Sequence, residues 1–166
     1  MSKPVPPDAT TRRVRMERTY RASIEDVWEL WTTKAGIESW WGPDGFQVRV
    51  LELDLRAGGG LVYTMTAVAP PQIAFMQQAN MPLTTTSRIT FSEVTPPSRL
   101  VYEHLTDFIP GVAAYDVTHR VELESTTDGV RLVLTFDAMH DETWTQRATM
   151  GWESELDRLA GALEAR

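Results

Sequence analysis

Apolar and polar residues alternate along most of this chain, and helical spacing takes over in only a few places. "RRVRMERTY" (12–20) alternates in part and predicts a first strand. In "SIEDVWELWTT", Ile24, Val27, Trp28 and Trp31 recur at helical spacing, with Ser23 at the N-cap and Asp26 at the capping-box position. Gly36 in "KAGIESWW" predicts a break in that helix, then a second short turn carrying Trp40 and Trp41. Adjacent residues cannot face the same way, so one indole is expected in the core and the other near a cleft or the surface. "GPDG" (42–45) is a turn in which Pro fixes φ and Gly tolerates positive φ. In "FQVRVLELDL", Phe46, Val48 and Val50 share one parity and Leu51, Leu53 and Leu55 the other, so a bulge is expected near 50–51.

"RAGGGLVYTMTAV" continues as a strand with Tyr63 and Met65 on one face and Val62 and Thr64 on the other. Residues 87–94, 99–108, 116–125 and 129–138 are strands by β-branched content and alternation, joined by the turns "TPPS", "IPGV" and "TTDG". From Asp141, the expected N-cap, the chain reads as one long helix. Trp144, Ala148, Trp152, Leu156, Leu159 and Leu163 form its apolar stripe. About 25 residues at 1.5 Å each give roughly 37 Å, enough to cross a sheet. A strand, two short helices, six strands and a long helix predict an α+β fold. Its curved antiparallel sheet of about seven strands packs one face on the C-terminal helix, with a cleft between them suited to a small molecule.

Composition narrows this picture. The chain has 166 residues, 42% hydrophobic and 23% charged, which suits one domain over 12–166 with a flexible tail at 1–11. A formal net charge of −7 and the lack of a basic run argue against nucleic acid and against an anionic membrane as partners. The absence of cysteine excludes disulfides and thiol chemistry. No apolar run approaches a membrane span and the start lacks a signal core, so a cytoplasmic location is expected.

Candidate chemistry rests on histidine. His104 shares parity with Leu100 and Tyr102, and His119 with Val117, Val121 and Leu123; if those apolar partners face the cleft, both imidazoles do too. Tyr63 and Tyr102 offer further hydroxyls. His140 lies among Asp137, Asp141 and Glu142, but that acidic pair is better explained as charging a helix N-terminus, so no metal and no cofactor is expected. "RAGGG" lacks the residues of a phosphate loop and precedes a strand. Its glycines are read as a kink in a curved sheet, with Arg56 held by Asp54 or Glu52.

Several stretches together carry a resemblance: "ASIEDVWELWT", "WW", "LDLRAGG" with Arg56, Gly58 and Gly59, "YTM", and "MGWESELDRLAGAL" with Gly151 and Trp152. Over about 12–165 the chain resembles the START-like (Bet v-like, SRPBCC) helix-grip superfamily, and within it the homologues of the activator of the heat-shock-protein-90 ATPase. The resemblance implies a helix-grip fold. It also implies a cavity of the kind that holds lipids, hormones or polyketides elsewhere in the superfamily, while leaving activity open. The chain departs from the pattern at "APPQIAFMQQANMPLTTT", where a short hairpin is usual. Ile73, Met76 and Ala79 fall at helical spacing there, so 70–87 is either a packed insertion or a lid over the cavity mouth.

Three functions are open at this point. The first is binding of a hydrophobic or amphipathic small molecule, with Trp41, Tyr63, Met65, Met76, Phe91, Tyr102, His104, His119, Trp144 and Met150 as candidates for the cavity. The second is a cyclase, hydratase or isomerase using a cavity histidine. The third, implied by the resemblance, is a chaperone-associated interaction module. A homodimer is compatible with the sequence but nothing compels one.

Overall fold

The computed structural model describes residues 12–166; the tail expected over 1–11 lies outside them. Strand β1 (Arg13–Tyr20) leads into helices α1 (Ile24–Thr32) and α2 (Lys34–Trp40). Strands β2 (Phe46–Leu53) and β3 (Gly60–Ala67) precede α3 (Pro70–Gln78). Strands β4 (Thr84–Thr95), β5 (Arg99–Thr106), β6 (Tyr115–Ser125) and β7 (Val130–Asp137) then run into α4 (Glu142–Glu164). All seven strands form one antiparallel sheet in the order β1-β7-β6-β5-β4-β3-β2. The sheet curves around α4, an α+β helix-grip architecture. No helix among the described residues is long and apolar enough to cross a membrane.

Local chemistry sets the boundaries. The Ser23 hydroxyl accepts the Asp26 N–H and the Asp141 carboxylate accepts the Trp144 N–H, so both predicted N-caps are in place. The break between α1 and α2 falls at Thr33, whose backbone is extended and whose hydroxyl caps α2 by accepting the Gly36 N–H. Gly36 has a different role from the predicted helix breaker. A Cβ there would stand 2.5 Å from the Glu29 carbonyl oxygen and 2.7 Å from the Leu30 Cα, so glycine lets α2 press against the end of α1.

The β2 bulge lies between Val50 and Glu52, where the parity switch places it, and turns Leu51 out to 54% exposure. A second bulge, between Phe91 and Glu93, has no such signal. Strand β4 begins at Thr84, before the predicted 87, because the Thr84–Thr86 run pairs with Thr64–Thr66. The "RAGGG" corner is tight: a Cβ on Gly59 would sit 2.1 Å from the Asp54 carbonyl oxygen. The Arg56 guanidinium lies 2.9 Å from the Asp54 carboxylate, on the surface.

One core fills the concave face. Val27, Trp31, Ile37 and Trp40 from the short helices meet Leu132, Leu134 and Phe136 of the sheet and Leu156 and Leu159 of α4. Trp40 and Trp41 are both buried, so of the two places expected for the second indole, near a cleft or on the surface, the surface is excluded. The helix ends at Trp40, and Trp41 is already extended (φ −64°, ψ 152°). The chain's turn, rather than helical rotation, sends the second indole inward. Trp40 donates its Nε1–H to the Leu30 carbonyl (2.8 Å) and meets Trp31 edge-on at 4.8 Å.

Candidate functional site

A cavity of about 170 Å³ opens between the sheet and α4. Strands β5 and β6 supply His104, Thr106, Val117 and His119, and β7 supplies Phe136. Helix α4 closes it with Ala148, Gly151, Trp152 and Glu155, while Phe108, 43% exposed, stands in the β5–β6 loop. Strand alternation does what the parity argument requires. Leu100 and Tyr102 are buried beside His104, and Val117, Val121 and Leu123 beside His119, and both histidines reach the cavity wall.

His119 is stacked between Tyr102 (5.0 Å, 7°) and Phe136 (5.5 Å, 20°). Its Nδ1 lies 3.1 Å from the Val117 carbonyl oxygen. A carbonyl can only accept, so Nδ1 carries the proton and donates, leaving a lone pair on Nε2 of the neutral ring. Burial, reinforced by the neighbouring His104, pulls the His119 pKa down to about 3; burial pulls His104 down to about 4. Both rings are therefore uncharged at neutral pH. The Nε2 of His104, the hydroxyl of Tyr102 and the Nε1 of Trp41 are sealed from solvent without a hydrogen-bond partner. Burial also pushes the Tyr63 and Tyr102 hydroxyls well above their ordinary pKa.

The remaining candidates divide. Trp41 meets Tyr63 edge-on at 5.4 Å and lies 6.4 Å from Tyr102, which in turn meets Phe91 at 6.4 Å. These four rings form a buried layer behind the histidines and do not line the cavity. Met65 is half-buried on the same strand as Tyr63 and is also off the wall. Trp144 packs edge-on against Phe108 at 5.9 Å, beside the lining rather than in it. Met150 is corrected: it is 68% exposed, because two residues of helix turn it about 200° away from Trp152. Met76 is buried, but α3 packs on β3 and near Gly45 and places none of its side chains on the cavity wall. His140 pairs its Nδ1 with the Tyr115 hydroxyl at 2.9 Å. Among the described residues no three His, Asp or Glu side chains converge as a metal site would require.

Glu155 is the residue that sequence reasoning missed. It lies three residues from Trp152 and four from Gly151, so its spacing places an acid inside the apolar stripe, and that was the available signal. Its Oε1 accepts the Gly42 N–H at 2.8 Å. Nearby, Ser154 Oγ accepts the Asp44 N–H, and the Arg158 guanidinium donates to the carbonyls of Gly42 (2.7 Å) and Pro43 (3.2 Å). One turn of α4 thus fastens the corner that follows the tryptophan pair. Burial pushes the Glu155 carboxyl up to about 7, opposed by the Gly42 N–H and by Arg158.

Gly151 lines the cavity in mid-helix, and a Cβ there would meet nothing within 4 Å. Gly151→Ala is expected to stabilise the protein by about 0.5–1 kcal/mol through helix propensity, read as a shift in the urea midpoint at constant m-value. An unchanged or lowered midpoint would contradict the open space at this position.

The sequence matches, over residues 21–164, the family described as Activator of Hsp90 ATPase homolog 1-like protein. No curated protein matches it. Among solved structures, protein CV1439 from Chromobacterium violaceum superposes with a TM-score of 0.76 at 24% identity, covering 92% of this chain and 96% of that one. The AHSA1-like protein from Aeromonas hydrophila gives 0.71 at 22% identity, with 93% of each chain covered. Protein NE0264 from Nitrosomonas europaea gives 0.70 at 20% identity, covering 97% and 99%. At these identities the neighbours speak for the fold alone. The family match spans most of the sequence, and the chain belongs to the Activator of Hsp90 ATPase homolog 1-like family.

Proposed function

We propose that this protein binds a small, largely apolar molecule in the cavity between the sheet and α4. The observation that carries the reading is a space of about 170 Å³ between the sheet and α4, walled by Phe136, Trp152, Val117 and Ala148, with His119 and Glu155 also in its lining. The lining is mostly apolar with a few polar groups, His104, Thr106, His119 and Glu155, which is the usual composition of a small-molecule site. The volume sets the scale. A cavity of about 150 Å³ admits benzene, so this one suits a single ring with a short substituent, well below a lipid or polyketide.

An enzyme built on a cavity histidine has less support. General bases work best near the operating pH, and burial holds these imidazoles at about 4 and about 3. The cavity group near neutrality is Glu155, at about 7, and proton transfer here would run through that carboxyl. A chaperone-docking role would call for a contiguous exposed apolar patch. The large exposed apolar side chains among the described residues are Leu51, Val68, Phe75, Phe108 and Met150.

The test is native mass spectrometry of protein purified from its own host, paired with a thermal-shift screen of single-ring compounds. A co-purifying small molecule, or shifts that disappear in Gly151→Leu, is the expected result. No adduct and no shift across the screen would overturn the reading.

A further inference from the structure

The cavity's polar groups can do more than indicate that something binds; they restrict its head group. Two wall groups have a definite hydrogen-bonding character. Glu155 accepts through its carboxylate, and with one oxygen on the Gly42 N–H it retains acceptor capacity. His119 presents an acceptor at Nε2, because its Nδ1–H is committed to the Val117 carbonyl. No Lys or Arg lines the cavity among the described residues. The cation that acts on Glu155, Arg158, turns its guanidinium to the backbone carbonyls of Trp41, Gly42, Pro43 and Phe46. An incoming carboxylate would therefore meet an acid, an imidazole lone pair and aromatic rings, with the Thr106 hydroxyl as an uncharged donor and no positive charge on the wall. A buried anion in such a place is strongly disfavoured. A hydroxyl or ammonium would find acceptors, and either would lie beside the rings of Trp152 and Phe136.

We propose that the cavity selects a single-ring molecule carrying a hydrogen-bond donor, hydroxyl or ammonium, and rejects the matching carboxylate, with Glu155 and His119 as the selecting residues. This rests on the cavity-binding reading above and narrows it. Burial holds the His119 ring neutral at physiological pH, which keeps its Nε2 an acceptor.

Three probes of matched size test it by isothermal titration at about pH 8, where the Glu155 carboxyl is largely ionised: benzyl alcohol, benzylamine and benzoate. Benzyl alcohol and benzylamine are expected to bind about tenfold or more tighter than benzoate. Glu155→Gln, which keeps an oxygen for the Gly42 N–H, is expected to narrow the gap between benzylamine and benzoate. His119→Phe keeps the ring stack, removes the Nε2 acceptor and is expected to weaken benzyl alcohol. Benzoate binding as tightly as the donors in the unaltered protein would overturn the selection while leaving the cavity reading standing. A gap unchanged in both folded variants would remove Glu155 and His119 as its source. Silence from all three probes would overturn the cavity reading and this inference with it.

Discussion

Replacing Trp40 with alanine is expected to destabilise the protein by about 3–5 kcal/mol, the range for emptying a large aromatic from a packed core. Trp40 has no exposed surface, meets Trp31 edge-on and donates its Nε1–H to the Leu30 carbonyl across the α1–α2 junction. The substitution removes the ring, leaves a cavity and strands that carbonyl. The loss should extend beyond one site. Trp31 also stacks on Trp152 (5.6 Å, 14°) and meets Trp41 at 5.8 Å, so the vacated space lies beside rings that brace the cavity wall. Trp40→Phe separates the contributions: it keeps most of the apolar area, loses the hydrogen bond, and should lie clearly between wild type and alanine in a denaturant titration. An alanine variant within about 1 kcal/mol of wild type would contradict the packing described.

Glu155→Gln is expected to stabilise the protein by about 1–3 kcal/mol at about pH 8 and to lose that advantage in acid. The sign follows from the direction of the shift. The folded carboxyl titrates at about 7, against 4.5 for an unperturbed glutamate. Below 4.5 both states hold the proton and the residue carries no penalty. Between 4.5 and 7 the folded state retains a proton that the unfolded chain releases, so stability falls as pH rises. Above 7 the full penalty of a buried anion is present. Glutamine has no such titration, so its advantage over wild type should grow from near zero at about pH 4.5 to a plateau above about pH 7. His104 and His119 act in the opposite sense, their depressed pKa values removing stability as pH falls below 6.5. Both proteins share them, so the pair cancels in the difference. A pH-independent difference between the two proteins would show that Glu155 is not held near neutrality.

These two predictions also mark what was legible in the sequence. Alternation and capping residues are local signals. They located the strands, the Ser23 and Asp141 caps, the β2 bulge and the inward parity of His104 and His119. Long-range partners leave no such mark. The Gly36 contact depends on how closely α2 approaches the end of α1, and the burial of Trp41 depends on where the backbone leaves the helix. Neither follows from spacing. Glu155 lay within reach of the helical repeat, but an acid among several acids in "WESELD" reads as a solvated face until Gly42 supplies its partner. The insertion forms the expected helix, with Met76 buried and Phe75 63% exposed, and packs at the β3 end of the sheet.

The cavity must also be distinguished from hollows on the opposite side of the sheet. One of about 620 Å³ runs over Arg15, Arg99, Glu122, Glu124 and Arg131. Its charges are paired, with Arg99 3.1 Å from Glu122 and Arg15 2.7 Å from Glu17, which leaves little to hold an apolar ring. Intermolecular nuclear Overhauser effects from benzyl alcohol bound to the isotope-labelled protein read the location directly. The account predicts contacts from the ring protons to His119, Phe136 and Trp152. Contacts confined to the outer face around Arg15, Glu122 and Arg131, or none to the cavity wall at saturating ligand, would contradict it.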